Sequence, residues 1–300
     1  MHFDWQFFWK SLFTPSERFL DGLVLTIVIS VVAMVLAILV GLVLALLRRS
    51  RFAVLRWCAS LYIWAVRGTP LLVQLVIIYT GLAAVGLYQF HDVSLFGLSV
   101  KAAIQAAIVG LTINESAYIA EIIRAGLDSV PKGQFEAAES LGGMKPAKVM
   151  RWIIVPQSLR VMVPPMGNSF NGMMKTTSVL SVIGVSEMFL VTQSISSATF
   201  HTFEIFIVAA LYYLALTTIW TVIQAEIENR LARQLGINQR VRITQRLLGG
   251  RRGPAPAEAR CEVHGEPSGR TTSDRLGAER LSNPRWPHGS RQRLAGRHAR

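Results

Sequence analysis

Apolar residues along this chain gather into runs, and short charged stretches separate the runs. Residues 22–47 include no Asp, Glu, Lys or Arg. A helix of that length crosses a hydrocarbon layer of roughly 30 Å with some tilt. The run ends at Arg48, Arg49 and Arg51. A cleaved signal peptide carries its positive charges in front of a shorter apolar core, so 22–47 is predicted to remain as a spanning helix. Ala33, Ala37, Gly41 and Ala45 fall four apart within it. Such a stripe either lets a neighbouring helix approach closely or places small residues against lipid by chance.

Four further runs follow. Residues 71–87 and 205–223 are free of charge, and Thr69 and Pro70 suit the cap and first position of the former. Residues 100–125 and 176–192 are apolar but interrupted, the first by Asn114, Glu115, Tyr118, Glu121 and Arg124, the second by Glu187. Counting both gives five crossings, and with five the basic residues sort by side. Arg48, Arg49, Arg51, Arg56 and Arg67 follow the first run; Arg124, Lys132, Lys145, Lys148, Arg151 and Arg160 follow the third; Arg230, Arg233 and Arg240 follow the fifth. Connections 88–99 and 193–201 have no Lys or Arg. Basic loops mark the cytoplasmic side, so the N-terminus is predicted outside and the C-terminus inside. The expected fold class is an all-α membrane protein of five transmembrane helices. Residues 1–20 form an extracytoplasmic segment, 21–235 the transmembrane domain and 236–300 a cytoplasmic tail.

Composition sharpens this picture. Half of the 300 residues (51%) are apolar and 16% charged, which is far from an ordinary soluble domain. The net charge of +13 does not point to nucleic acid, because nearly half of it (+6) lies in residues 251–300. That stretch has 11 Arg, no Ile, Phe or Met, and five prolines. It has too little apolar surface to offset the entropy of ordering and is predicted disordered from about residue 250. Cys58 and Cys261 lie in unrelated settings and imply neither a disulfide framework nor a metal site.

The connection 131–160 carries the most specific pattern. Residues 134–141 are rich in helix formers, with Glu136 near the start, where the helix dipole favours an anion. Gly142 and Gly143 stop this helix, and Pro146 suits the first turn of a second one bearing Val149, Trp152 and Ile153 on one face. Pro156 is predicted to end or kink it. Helix, glycine corner and amphipathic helix make a projection able to fill a groove on a partner. By spacing alone, a helix lying on lipid headgroups fits equally well.

E-A-A-E-S-L-G at 136–142 followed by I-I-V-P at 153–156 resembles the EAA loop of bacterial ABC importer permeases. V-R-G-T-P-L-L-V-Q-L at 66–75, N-E-S-A-Y-I-A-E-I-I-R-A-G at 114–126, P-P-M-G-N at 164–168 and K-T-T-S-V-L-S-V-I-G-V at 175–185 resemble its polar amino acid branch, which serves histidine, glutamine, glutamate, arginine and opines. The likeness covers about residues 20–235, in the expected order.

The resemblance implies that the loop docks on a cytoplasmic ATPase and assigns that coupling to Glu136, Ala137, Ala138, Gly142 and Pro156. The chain has no G-x-x-x-x-G-K-[ST] phosphate loop, so ATP and Mg belong to a partner ATPase dimer, and no cofactor is expected on this chain. Further implied partners are a second permease copy or paralogue, a periplasmic or lipid-anchored amino-acid-binding protein and the bilayer of a bacterial inner membrane. No nucleic acid is implied. The expected substrate path is Asn114, Tyr118 and Glu121 on one helical face, with Lys175 and Thr177. There Glu121 meets an ammonium, and Thr177 and Asn114 meet a carboxylate. A structural Glu121–Lys175 or Glu121–Arg124 pair stands beside that reading, as does placement at the cytoplasmic interface. Glu187 is read as the cap of a helix end and Arg67 as an interfacial anchor.

Two other classes compete. A membrane enzyme needs a nucleophile, an acid–base pair or metal ligands inside the spans. The six histidines are scattered, and neither H-E-x-x-H nor G-x-S-x-G occurs, so no catalytic or metal residue is assigned. A secondary amino acid transporter or channel, which needs no ATPase, is the alternative, though the internal repeats usual in such folds are missing. The family motifs do not say which amino acid is carried, because in this family an external binding protein sets selectivity.

Overall fold

A computed structural model describes residues 3–95, 98–140 and 145–234. The chain divides after Arg252, and the second unit, 253–300, lies wholly outside the described residues. The tail expected to be disordered and the Gly142–Gly143 corner are outside them too.

Helix α1 (Trp5–Phe13) begins at Asp4, whose carboxylate caps Phe7 N. The 32-residue α2 (Glu17–Arg48) is capped by Ser16. Its valines and leucines at 24, 28, 31, 35, 39 and 43 are exposed on one flank, as lipid contact requires. On the other flank Ala33, Ala37 and Ala45 are fully buried. A Cβ at Gly41 would stand 2.8 Å from the Ile119 side chain and 3.0 Å from the Ser116 carbonyl. The small stripe is therefore a seam against α6 (Ala102–Asp128), and the lipid-facing alternative is excluded.

Three helices, α2, α6 and α11 (Thr202–Gln234), are long and apolar enough to cross a membrane; two bent pairs raise the number to as many as five. The first pair corrects the expectation for 71–87. There α4 (Leu71–Val76), a π-helical turn (Ile77–Gly81) and the short α5 (Leu82–Ala84) follow α3 (Ala53–Arg67), a helix that the charge-free run did not announce. The two arms bend by 107° at Gly68–Pro70. Pro70 is the cap residue itself. The Thr69 hydroxyl, instead of capping, donates to Ala65 O and accepts from Gln74 Nε2. A small antiparallel hairpin, β1 (Val93–Leu95) and β2 (Leu98–Val100), stands in the connection before α6.

The second pair corrects the expectation for 176–192. After α7 (Lys132–Ser140), Pro146 starts α8 (Pro146–Val149), which passes through a π turn (Met150–Ile154) into α9 (Val155–Thr176) and a 3-10 segment (Thr177–Ile183). The bend, of 56°, comes between Ile183 and α10 (Met188–Thr199), where Gly184 takes φ 79°, a left-handed geometry that glycine adopts without strain. Pro156 does not end the helix: the wider turn just before it accommodates the missing N–H. The helix that leads into 176–183 therefore begins some twenty residues before the predicted run, and it carries Pro164 and Pro165 inside it. At α10 the Glu187 carboxylate caps Leu190 N.

Candidate functional site

At the Arg48 end of the bundle the ends of α2 and α6 are pinned by charge. Arg48 and Arg124 both engage the Glu121 carboxylate, and Asp128 holds Arg124 and Arg49, each at 3.0 Å. Of the structural pairings open to Glu121, the one with Arg124 forms and Arg48 joins it. These side chains are 21–48% exposed, so each pair is worth about 0.2–1 kcal/mol.

Next to this network stand α7 and α8. Ala138 is buried against Val149 and Ile154, with Phe135 and Leu127 packed around them. Glu136 and Ala137 on α7 are exposed, and Pro156 is half-buried. Beneath the loop lies a cavity of about 520 Å3, lined by Arg49, Asp128, Glu136 and apolar residues including Phe135 and Met150. Gly142 belongs to the undescribed corner. Of the five coupling residues expected, two thus present themselves on the surface and one, Ala138, faces inward.

The five substrate-path residues do not converge. Asn114 donates to Gln74 Oε1 of α4 at 3.1 Å, and Gln74 in turn donates to Val66 O and Thr69. Tyr118 is exposed and lies under the Arg67 guanidinium, 5.2 Å from its ring centre. Glu121 is held by arginines, Lys175 is exposed, and Thr177 is buried and donates to Met174 O.

Two carboxylates deeper in the fold were passed over by the reading of the substrate path. Glu187 is fully buried; besides capping α10 it accepts from Thr26 Oγ1 of α2 and Tyr213 OH of α11, and so ties three helices together. Its expected role as a cap is what the structure shows, with two hydroxyls added. Glu115 lies at the middle of α6 and faces the Ser169 hydroxyl of α9. A charge near the centre of a bilayer costs about 2.5–3.5 kcal/mol on insertion scales, which makes a carboxylate at that depth a functional candidate. The signal available in the sequence was Ser169, in the polar run 168–171 that the motif P-P-M-G-N only touches. Among the described residues no group of three His, Cys, Asp or Glu could hold a metal ion.

Known proteins resemble this arrangement throughout. The chain is 37% identical over 225 residues to the probable amino-acid permease protein YxeN of Bacillus subtilis, covering 75% of this chain and 96% of the relative. It is 37% identical to the probable glutamine ABC transporter permease protein GlnM of the same organism (69% and 89% covered). It is 39% identical to the octopine transport system permease protein OccM of Rhizobium radiobacter (73% and 86%). Among solved structures, an amino acid ABC transporter matches with a TM-score of 0.65 and 38% identity, covering 77% of this chain and all of the other. The MetNI methionine ABC transporter matches at 0.54 and 19% identity, covering 76% and 99%, a likeness of fold alone. The family model for the binding-protein-dependent transport system inner membrane component matches residues 37–233. The chain therefore belongs to this family of ABC importer permeases, as a transport subunit and not itself an enzyme.

Proposed function

We propose that this chain is the membrane-spanning subunit of an ATP-driven importer of polar amino acids in a bacterial inner membrane. The relatives named for glutamine and octopine support the substrate class. The chain crosses five times, with each bent helix pair serving as one crossing, the N-terminus outside and the C-terminus in the cytoplasm. That orientation puts α7 and α8 on the cytoplasmic side, with a pair of ATPase chains that bind ATP and Mg. A second permease copy or paralogue completes the path, and an external binding protein delivers the cargo.

The observation that carries this reading is α7, which displays Glu136 and Ala137 outward while Ala138 packs on Val149. Glu136 and Ala137 are the gripped surface, where Ala137 leaves no side-chain bulk to prevent a close fit. Ala138 and Pro156 position the loop, and Gly142 is retained as a coupling residue. ATP-driven closure of the ATPase pair moves α7, and α8 continues into α9 without a break. A push on the loop therefore reaches the spanning region as a rigid-body motion, coupling the ATPase site to the path. Within that path Asn114, Tyr118, Lys175 and Thr177 are retained as path residues, whereas Glu121 serves as a tie between helices.

Co-expression with its ATPase and binding protein, reconstitution into vesicles and measurement of labelled amino-acid uptake tests the proposal. Uptake that requires ATP in the lumen on the ATPase side is expected. Uptake that persists without ATP while an ion gradient is kept would overturn it.

A further inference from the structure

The corner between α2 and α3 gathers Arg48, Arg49, Arg51 and Arg56, and the chain from 22 to 91 supplies no Asp or Glu to meet them. Two are neutralised from α6, Arg48 by Glu121 and Arg49 by Asp128. The other two form no ion pair among the described residues. The Arg51 guanidinium stands 4.9 Å from the centre of the Phe52 ring, and Arg56 Nη1 donates to Ser50 O and Arg51 O. Those bonds draw the Arg56 charge back to the turn that carries Arg51. Both side chains are exposed. Like charges in one turn repel each other, and each guanidinium offers five N–H donors. An anion at this corner would answer both demands.

The surface beside the corner says which kind of anion. Along α3, Val54, Trp57, Leu61 and Trp64 recur at three- and four-residue spacing, and all are exposed, the two tryptophans 66% and 74%. On the opposite side Ala59 and Ile63 are buried against α2 and α6. The outward stripe meets lipid chains, as the exposed flank of α2 does. Tryptophan beside arginine, where such a stripe begins, suits the headgroup layer of a membrane. The pairing recurs at the same end of the bundle, where Arg49 and Met150 line one cavity: the Arg151 guanidinium lies 5.9 Å from the exposed Trp152 ring. Unpaired basic charge at the foot of a lipid-facing stripe fits a molecule with an anionic head and hydrocarbon chains. A zwitterionic head brings its own cation and leaves the arginine charges uncompensated.

We propose that Arg51 and Arg56 hold the phosphate of an anionic phospholipid whose chains run along Trp57, Leu61 and Trp64. The contacts are charge-assisted hydrogen bonds from guanidinium to phosphate oxygen. This goes beyond the transport reading and needs only that the chain spans a membrane.

The detergent-purified complex of permease and ATPase is mixed with phosphatidylglycerol and phosphatidylcholine of the same chain length, and native mass spectrometry counts the lipids retained. The wild type is expected to hold at least one phosphatidylglycerol per permease chain against excess phosphatidylcholine. In Arg51→Gln/Arg56→Gln the concentration that half-fills the site is expected to rise about thirtyfold, the attraction of two basic residues combined. Equal retention in the variant overturns the site, as does a wild type that keeps both lipids alike. Displacement by inorganic phosphate, at an ionic strength matched with chloride, overturns the lipid as occupant in favour of a free anion. Loss of the ATPase from the double variant also overturns it, because the arginines then face that partner. Should the double variant fail to assemble, Arg51→Gln alone carries the test, with a rise of about fivefold, and unchanged retention there overturns the site. Retention is read without transport, so a complex that imports no amino acid refutes the proposed function and leaves this result standing.

Discussion

Single residues set the tightest tolerances in this molecule. At Gly41 the two backbones of the α2–α6 seam come so close that any side chain would have to displace Ile119 and the Ser116 carbonyl. Gly41→Leu is expected to cost about 1–3 kcal/mol of stability, seen as a lower melting temperature of the purified protein in detergent. An unchanged melting temperature would mean that the seam opens freely. Glu187 is expected to behave differently from Glu121. Truncating Glu187 to alanine removes the cap from Leu190 N and the carboxylate acceptor from Tyr213 OH, while Thr26 keeps its bond to Gly22 O, at about 1–3 kcal/mol for a buried group left unsatisfied. Glu121→Gln removes only partly exposed pairs, each worth about 0.2–1 kcal/mol, and it is expected to keep both substrate preference and most of the stability. A changed preference in an uptake assay would return Glu121 to the substrate path. The distinction was not legible in the sequence, where both residues are acidic interruptions of apolar runs. Burial and the choice of partner separate them.

Among elements, α7 offers the sharpest test. Ala137 lies on its exposed face and Ala138 on its packed face. Ala137→Trp is expected to leave membrane insertion and folding intact while abolishing ATPase co-purification. Gly142→Asp is expected to abolish uptake with insertion intact, which follows from the sequence reading of Gly142 as a helix-stopping glycine. Normal uptake in either variant would remove that residue from the coupling surface. The helix and its flanking helix were readable from E-A-A-E-S-L-G and Pro146, since both carry local signals of helix formation and capping. The course of α9 was not. Pro156 read as a breaker, and Asn168, Asn171 and Lys175 lower the apolar average. In the fold a π turn takes up Pro156, while neighbours supply polar partners: Trp220 Nε1 donates to Gly167 O, and Gln224 Nε2 to Pro164 O. Helices that are satisfied by their neighbours tolerate such residues, and a window average does not see neighbours.

For the whole molecule the open quantity is orientation. In a cysteine-free background, a cysteine at 137 is expected to react with an impermeant maleimide only from the cytoplasmic side, and one at Ser94 in the hairpin only from outside. The reverse pattern would place the coupling loop away from any ATPase and sink the proposed function. The charge-free length of 22–47, the alternation of basic and non-basic connections, the helix over 134–140 and the helix start at Pro146 were determined by the sequence alone. Each depends on a local or additive property: transfer of side chains into lipid, charge beside a membrane face, and capping. Tertiary structure decided the rest. It bent α3 against α4, joined the run at 176–183 to the long α9 before it, spent Glu121 on two arginines and left Glu115 facing a serine. These outcomes depend on which groups meet across helices far apart in the chain, and a partner at that distance leaves no mark on the residues beside it.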